Sequence, residues 1–368
     1  MQEITEGHTR LLIPEPLQRG KPPVFFNPRM KLNRDVCVVV VRGLMKEEEI
    51  AFLDLLAGTG AKGLRVAREA GCSVALNDTN QKAYELILKN AELNNLRVKV
   101  YNQNANLLLQ KIRGINFIDI DPFGTPAPFL DNSLLALRKG GYLGVTATDT
   151  APLCGVHPKA CLRKYWSVSL KTDFCHELGM RILIGHAARM AAKYSLGVSC
   201  LLAHYREHYF RAYLRVTKGR RKADEALSEM GYLYYCQRCM ERDYSRETLP
   251  RARKCSCGAE YRIAGPIWLG KLVEKDFVKE LLPEAAYLED GEALRTLALL
   301  QEELEVPFYY DLHKLCKAVK AEVPPTKRVL EELEAQGFEA SRTHFSPTAI
   351  KTSADAAAVK NILRTASL

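Results

Sequence analysis

Ile115-Asn116-Phe117-Ile118-Asp119-Ile120-Asp121-Pro122-Phe123-Gly124 decides how this chain is read. The first six residues are a mostly apolar run of strand length, and Asp121-Pro122-Phe123-Gly124 is the turn that ends it. An Asp-Pro-aromatic turn at a strand end offers a carboxylate, a proline carbonyl exposed by the bend, and an aromatic face. Those three suit a flat ring carrying an exocyclic amine. The two oxygens accept its N–H bonds and the aromatic stacks on the ring. In a purely structural reading Asp121 caps the turn and Phe123 is core. The agreement of the motif, its placement and a glycine turn upstream argues against that reading.

The upstream turn is Asp54-Leu55-Leu56-Ala57-Gly58-Thr59-Gly60, continuing as Ala61-Lys62-Gly63. It matches G-x-G-x-x-G, and Asp78 follows at the end of the next strand, where it would bind ribose hydroxyls. Dehydrogenases share this pattern. Asp54 leans toward methyl transfer, because D-x-x-x-G-x-G is the usual first motif of that class. Strands are expected over Ile50–Leu56, Ser73–Leu76, Val98–Tyr101, Ile115–Ile120 and Tyr142–Ala147. Helices are expected over Ala61–Glu69, Asn80–Leu93, Ala105–Lys111 and Phe129–Leu137. Such alternation predicts an α/β fold with a doubly wound, parallel, Rossmann-like sheet. Sites in such sheets lie outside the carboxyl ends of the strands, so Gly58, Gly60, Asp78, Asn104 and Asp121 should converge.

Residues 1–26 alternate in polarity (Thr9, Leu11, Ile13; Val24, Phe25, Phe26) and suggest strands around a Pro-rich turn. Asn27-Pro28 opens a helix. It turns Met30, Cys37, Val38 and Val41 inward, and Arg34 lies between them and need not face the core. Farther on, Cys175–Lys193 reads as a helix, and Val198–His204 and Phe210–Thr217 read as strands. Composition shifts at Lys218-Gly219-Arg220-Arg221-Lys222, where a boundary divides residues 1–217 from a C-terminal α+β domain, 218–368. Within that domain Asp311–Lys320 and Thr326–Gln336 are helices followed by a strand. That order resembles a winged helix.

The chain has 368 residues, 47% of them hydrophobic, with a formal net charge of +10. No apolar run is long enough to cross a membrane, and the polar, acidic N-terminus is no signal peptide, so a cytoplasmic protein is expected. Lys and Arg outnumber Asp and Glu between Arg206 and Arg262, the footprint of a phosphate-backbone partner or of a solvated face. The chain has 11 cysteines. Cys37, Cys72, Cys154, Cys161, Cys175, Cys200 and Cys316 read as small buried hydrophobes. Cys236, Cys239, Cys255 and Cys257 read as two knuckles of a structural zinc site, with Gly258 turning the second. The histidines show no metal or triad spacing.

Three functions fit the residues so far: a base-amine methyltransferase, an NAD-dependent oxidoreductase, and a non-enzymatic zinc-containing RNA-binding protein. The oxidoreductase leaves the Asp-Pro-Phe turn without a role. Six segments together resemble the tRNA guanine-N2 dimethyltransferase family, which acts at guanine 26. They are Phe25–Met30, Asn33–Asp35, Asp119–Gly124, Val145–Asp149, Ala151–Gly155 and Thr343–Pro347. The resemblance implies S-adenosylmethionine as donor and tRNA as partner, with no DNA or protein partner evident. One or two methyl groups would reach the guanine N2 amine, at guanine 26 or also at its neighbour. It also implies that Arg34 meets the donor's carboxylate, Asp78 its ribose, and Asn104 with Ala105 its adenine. Asp54, Gly58, Gly60 and Lys62 complete the donor site, and Asp121, Pro122 and Phe123 meet the target amine. The chain departs from the family pattern at Asn104, where aspartate is common, and at Lys62, where arginine is common.

Overall fold

The computed structural model describes residues 1–15, 22–288 and 291–366. Strands β1 (Gln2–Glu6) and β2 (Thr9–Ile13) pair antiparallel across Gly7, which takes φ +55°. The strand expected at Val24–Phe26 does not form. Pro22 and Pro23 lack the N–H groups a ladder needs, and the segment runs irregularly instead. Residues 16–21 of the Pro-rich turn lie outside the described residues. Asn27 accepts from the Arg29 N–H at 3.0 Å and starts one tight turn, after which α1 runs Lys31–Leu44. Val36 to Val41 are buried together, and so is Arg34, whose position in the pattern did not require it.

Strands β3 (Ala51–Asp54), β4 (Ser73–Asn77), β5 (Lys99–Tyr101), β6 (Ile115–Ile120) and β7 (Leu137–Ala147) alternate with helices α2 (Ala61–Arg65), α3 (Gln81–Leu93), α4 (Ala105–Lys111) and α5 (Ala127–Ala136). Helices α6 (Thr150–Leu153), α7 (Pro158–Tyr165) and α8 (Cys175–Ala192) lead to β8 (Leu196–Arg206) and β9 (Tyr209–Lys218). The sheet order is β5-β4-β3-β6-β7-β9-β8. The expectation of an all-parallel sheet needs correction. β3 to β7 are parallel, but β9 runs antiparallel between β7 and β8. Only Glu207 and His208 connect β8 to β9, and so short a link permits only an antiparallel pair. The strand order switches at β3 and β6, which opens a crevice at their carboxyl ends.

Beyond the sheet, α9 (Arg220–Ser228) leads into strands β10 (Met230–Tyr235), β11 (Arg242–Ser245) and β12 (Arg262–Trp268), ordered β11-β10-β12. Helices α10 (Lys275–Ala286) and α11 (Gly291–Glu302) follow. The last unit is β13 (Tyr310–Asp311), α12 (Leu312–Val319), α13 (Thr326–Ala335), β14 (Ala340–Arg342), β15 (Ala349–Thr352) and α14 (Ala356–Ala366), with sheet order β13-β15-β14. It keeps the expected helix–turn–helix-then-strand order.

One hydrophobic cluster runs from Leu11 to Ala349, and a second packs residues between Tyr310 and Leu363. Buried charges join them. Glu177 on α8 accepts the Phe308 and Tyr309 N–H groups at 2.9 and 3.1 Å, and Lys351 bridges Glu177 to Glu303 at 3.4 and 3.1 Å. No helix among the described residues is long and apolar enough to cross a membrane.

Candidate active site

A cavity of about 740 Å³ opens at the carboxyl ends of β3, β4 and β6. Its lining includes Arg34, Asp54, Gly58, Lys62, Asp78, Asp121, Pro122 and Phe123, eight of the residues singled out from sequence. Gly60, Asn104 and Ala105 do not line it. Gly60 takes φ +79°, and a β-carbon there would crowd Ile87 at 3.1 Å and Leu64 at 3.2 Å, so its role is to let α2 start. Asn104 caps α4 through Oδ1, accepting from Asn106 and Leu107.

One half of the cavity is built from the loops that follow β3 and β4, with a buried Arg34–Glu6 pair beside them. Gly58 has φ +56°, and its N–H donates to Asp78 Oδ2 at 2.9 Å, while Asn80 N–H donates to Oδ1 at 2.9 Å. The carboxylate is thus aimed while half-exposed, and its remaining lone pairs face the cavity. Asp54 lies at the cavity floor and accepts the Gly63 N–H at 3.0 Å. Burial pushes its carboxyl up to about 7, against the pull of Lys62 and with the push of Asp119 and Asp121. The Arg34 guanidinium is held by Glu6 at 2.6 Å through Nε and again through Nη2, and Nη1 reaches the Asn27 carbonyl at 3.2 Å.

The other half is built from pairings between residues far apart in sequence. Lys62 Nζ sits 2.8 Å from Asp119 Oδ1 and 2.5 Å from Asp121 Oδ2. Asp119 is fully buried, and its second oxygen pairs with Arg211 from β9. Burial alone would raise the Asp119 carboxyl, but Arg211 and Lys62 bring it below the usual carboxylate range. Gly144 makes room for this pair: a β-carbon there would run into Arg211 Nη2 and lie 2.7 Å from Asp119 Oδ2. Asn33 Nδ2 adds a bond to Asp121 Oδ2 at 3.3 Å. Both partners of Asp121 therefore hold the same oxygen, and among the described residues none donates to Oδ1. The Pro122 carbonyl also accepts no hydrogen bond from a described residue. Thr148 clamps the turn from β7, its Oγ1 accepting the Gly124 N–H at 2.7 Å.

At the mouth two rings stand in solvent, Phe123 at 75% and Phe25 at 47% exposure. Their centroids lie 4.5 Å apart, edge to face. His208, in the β8–β9 turn, completes the rim. No sequence signal marked His208. Arg211 and Asp119 did carry one. Each is a charge inside an apolar strand run, and such charges are buried only when paired.

The four sulfurs of Cys236, Cys239, Cys255 and Cys257 lie within 4.8 Å of one another. Cys236 and Cys257 are 3.5 Å apart, and Cys239 and Cys255 are 3.4 Å apart. Gly258, at φ +84°, turns the second knuckle. A tetrahedral zinc with bonds near 2.3 Å spaces its sulfurs by about 3.8 Å, so the donor set and its spacing fit that ion. Around it Arg246 pairs with Glu229, Arg253 with Glu247, and Arg242 is buried against Asp173. Arg220, Arg221 and Lys222 remain exposed, with Glu225 shared by the last two.

A model of the N2,N2-dimethylguanosine tRNA methyltransferase family matches residues 7–364. The tRNA (guanine(26)-N(2))-dimethyltransferase of Pyrococcus abyssi is 40% identical, over 99% of each chain. That of Methanosarcina acetivorans is also 40% identical, over 98% of each. The solved structure of Trm1 from Pyrococcus horikoshii with S-adenosyl-L-methionine superposes with a TM-score of 0.90 at 40% identity, covering 99% of this chain and 100% of that one. The chain belongs to the N2,N2-dimethylguanosine tRNA methyltransferase family.

Proposed function

We propose that this chain methylates the exocyclic N2 amine of guanine 26 in tRNA, once or twice, with S-adenosylmethionine as donor. Asp121 carries the reading: one oxygen is tied down by Lys62 and Asn33, and the other is open at a cavity mouth between two exposed phenylalanines. Phe25 and Phe123 part to hold the guanine between them. Asp121 Oδ1 and the Pro122 carbonyl accept its two N2–H bonds. That pair of bonds counters delocalisation of the nitrogen lone pair into the ring and aims it, a matter of positioning and electrostatics. When bound, the donor supplies an electrophilic methyl group. As the N–C bond forms, the methyl's bond to the donor sulfur would break and leave a neutral thioether, and the surplus N–H proton would pass to Asp121 Oδ1.

The donor would lie along Gly58, where the missing β-carbon lets it approach, with its ribose on Asp78. Asp54 and the remaining Arg34 N–H groups would take its amino-acid end. Asn104 would meet the adenine edge through the Nδ2 that capping leaves unused. Lys62, expected at the donor, is read here as the group that orients Asp121. Residues 1–217 form the methyltransferase domain in this reading, and residues 218–368 bind tRNA, supported by the exposed Arg220, Arg221 and Lys222. The four cysteines hold one structural zinc, since four thiolates leave no open position. A stacked guanine must be turned out to reach Asp121, and the substrate implies work in the cytoplasm. Incubation of tRNA with labelled donor, nucleoside analysis and mapping tests all this. N2-methylated guanosine at position 26 is expected, and its absence there overturns the reading.

A further inference from the structure

Cys154, Cys175 and His176 take no part in the chemistry above, yet they form a second donor cluster. One ligand atom from each lies within 4.8 Å of the other two. Cys154 directly follows α6, and Cys175 with His176 opens α8, so two separate segments build the cluster. All three are half-buried and therefore reachable. The two sulfurs lie within 4.8 Å of each other. The His176 ring is fixed by stacking on Tyr205, centroids 4.0 Å apart at 14°. Its Nδ1 is buried and has no hydrogen-bond partner. The Phe345 backbone, Lys314 and Asp311 are the ring's polar neighbours. A metal-binding histidine is built this way, with one nitrogen's lone pair left open and the ring held by packing and a backbone neighbour. Lys314 of α12 lies beside all three groups, so the cluster sits where the C-terminal unit meets the sheet.

We propose that Cys154, Cys175 and His176 are the three protein ligands of a second zinc ion, separate from the four-cysteine cluster. Two thiolates and one neutral imidazole balance a divalent charge, and Cys2His is an established zinc donor set with the fourth position open to water. A disulfide between the two cysteines would leave the open Nδ1 of this rigidly held imidazole without a role. The ion would pin the end of α6 to the first turn of α8. Helix α6 begins two residues after Thr148, which clamps the catalytic turn at Gly124, so the ion would steady that strand end from behind.

Metal analysis of the full-length chain, loaded with zinc and freed of loosely bound ion, should give about two zinc per chain. Cys154→Ser and His176→Ala should each give about one, and Cys236→Ser should lose the other. Donor binding by each variant checks its fold. Cobalt(II) added to the Cys236→Ser/Cys239→Ser chain should produce thiolate charge-transfer and tetrahedral visible bands that Cys154→Ser abolishes. In the unsubstituted chain, zinc should protect Cys154 and Cys175 from alkylation, and a chelator should expose them. A wild-type chain holding only the zinc that Cys236→Ser removes overturns the proposal. So does equal alkylation with and without zinc, or a Cys154–Cys175 disulfide in the purified protein.

Discussion

The two halves of the cavity are held in different ways. The half around Gly58 and Asp78 is made by turns: each oxygen of Asp78 accepts an N–H from a nearby loop. The half around Asp121 is made by charges that reach across the sheet, from Lys62 on α2 to Asp119 on β6 and Arg211 on β9. A local turn can lose one side chain and keep its shape. A buried ion network cannot, because removing one member strands the others. Substitutions in the Asp121 half should therefore strike turnover, and those in the Asp78 half should strike affinity.

Asp121→Ala should produce the largest effect, lowering kcat by about 10²–10³, the scale of removing one electrostatic interaction from a transition state. Donor affinity by calorimetry should barely move. Normal turnover in this variant would remove the contrast altogether. Lys62→Met should come next, lowering kcat by about 10²-fold through a misplaced Asp121, with donor affinity kept at a pH high enough to ionise Asp54 without the pull of Lys62. Lys62→Arg should recover most of the loss, since arginine can fork to both carboxylates. A Lys62→Met chain that binds donor poorly and turns over normally would move Lys62 to the other half.

On the turn-built side, Asp78→Ala should weaken donor binding by roughly 1–3 kcal/mol, the worth of a charged hydrogen bond, while kcat at saturating donor holds. Asp54 adds a pH signature. With its carboxyl at about 7, the cationic donor should bind more weakly as pH falls through that value, and Asp54→Asn should flatten the dependence. In the empty protein the sign for stability is opposite. Because the folded value is raised above 3.8, the fold loses stability as pH rises from there to about 7. Thermal melts and titration calorimetry across that window check both signs.

The smallest effects should come from the surface. Reversing Arg220, Arg221 and Lys222 to Glu should raise the tRNA KM and flatten its salt dependence, by about 0.7–0.9 in log–log slope for each phosphate no longer neutralised. Donor affinity should stay intact. Binding from low to high salt measures it, and an unchanged slope would mean that tRNA lies elsewhere.

Much of the fold was legible because it is local. The strand Ile115–Ile120 and helix Ala105–Lys111 appear at the expected bounds, marked by apolar runs and by Asn104 as a cap. The antiparallel turn of β9 was not legible, because direction depends on which neighbour a strand finds. Arg34 reads as a lateral residue, yet it is buried, because its partner Glu6 belongs to a hairpin that packs on α3 and α2. Cys154 and Cys175 read as filler because their spacing spells no motif. Cys175 adjoins His176 in the chain, and only the fold brings Cys154 to them.

By itself the sequence determined the alternation of strands and helices from Ile50 to Ala147, the glycine turn at Gly58, the Asp121 turn and the two cysteine knuckles. Each rests on neighbours along the chain, where backbone geometry leaves few choices. Tertiary structure alone decided which Asp121 oxygen is free, that Lys62 pairs with Asp121, that His208 joins the rim, and that Cys154 meets Cys175 and His176. Those facts depend on side chains brought together across a sheet. Such meetings follow from packing and charge pairing among distant residues, which spacing along the chain does not encode.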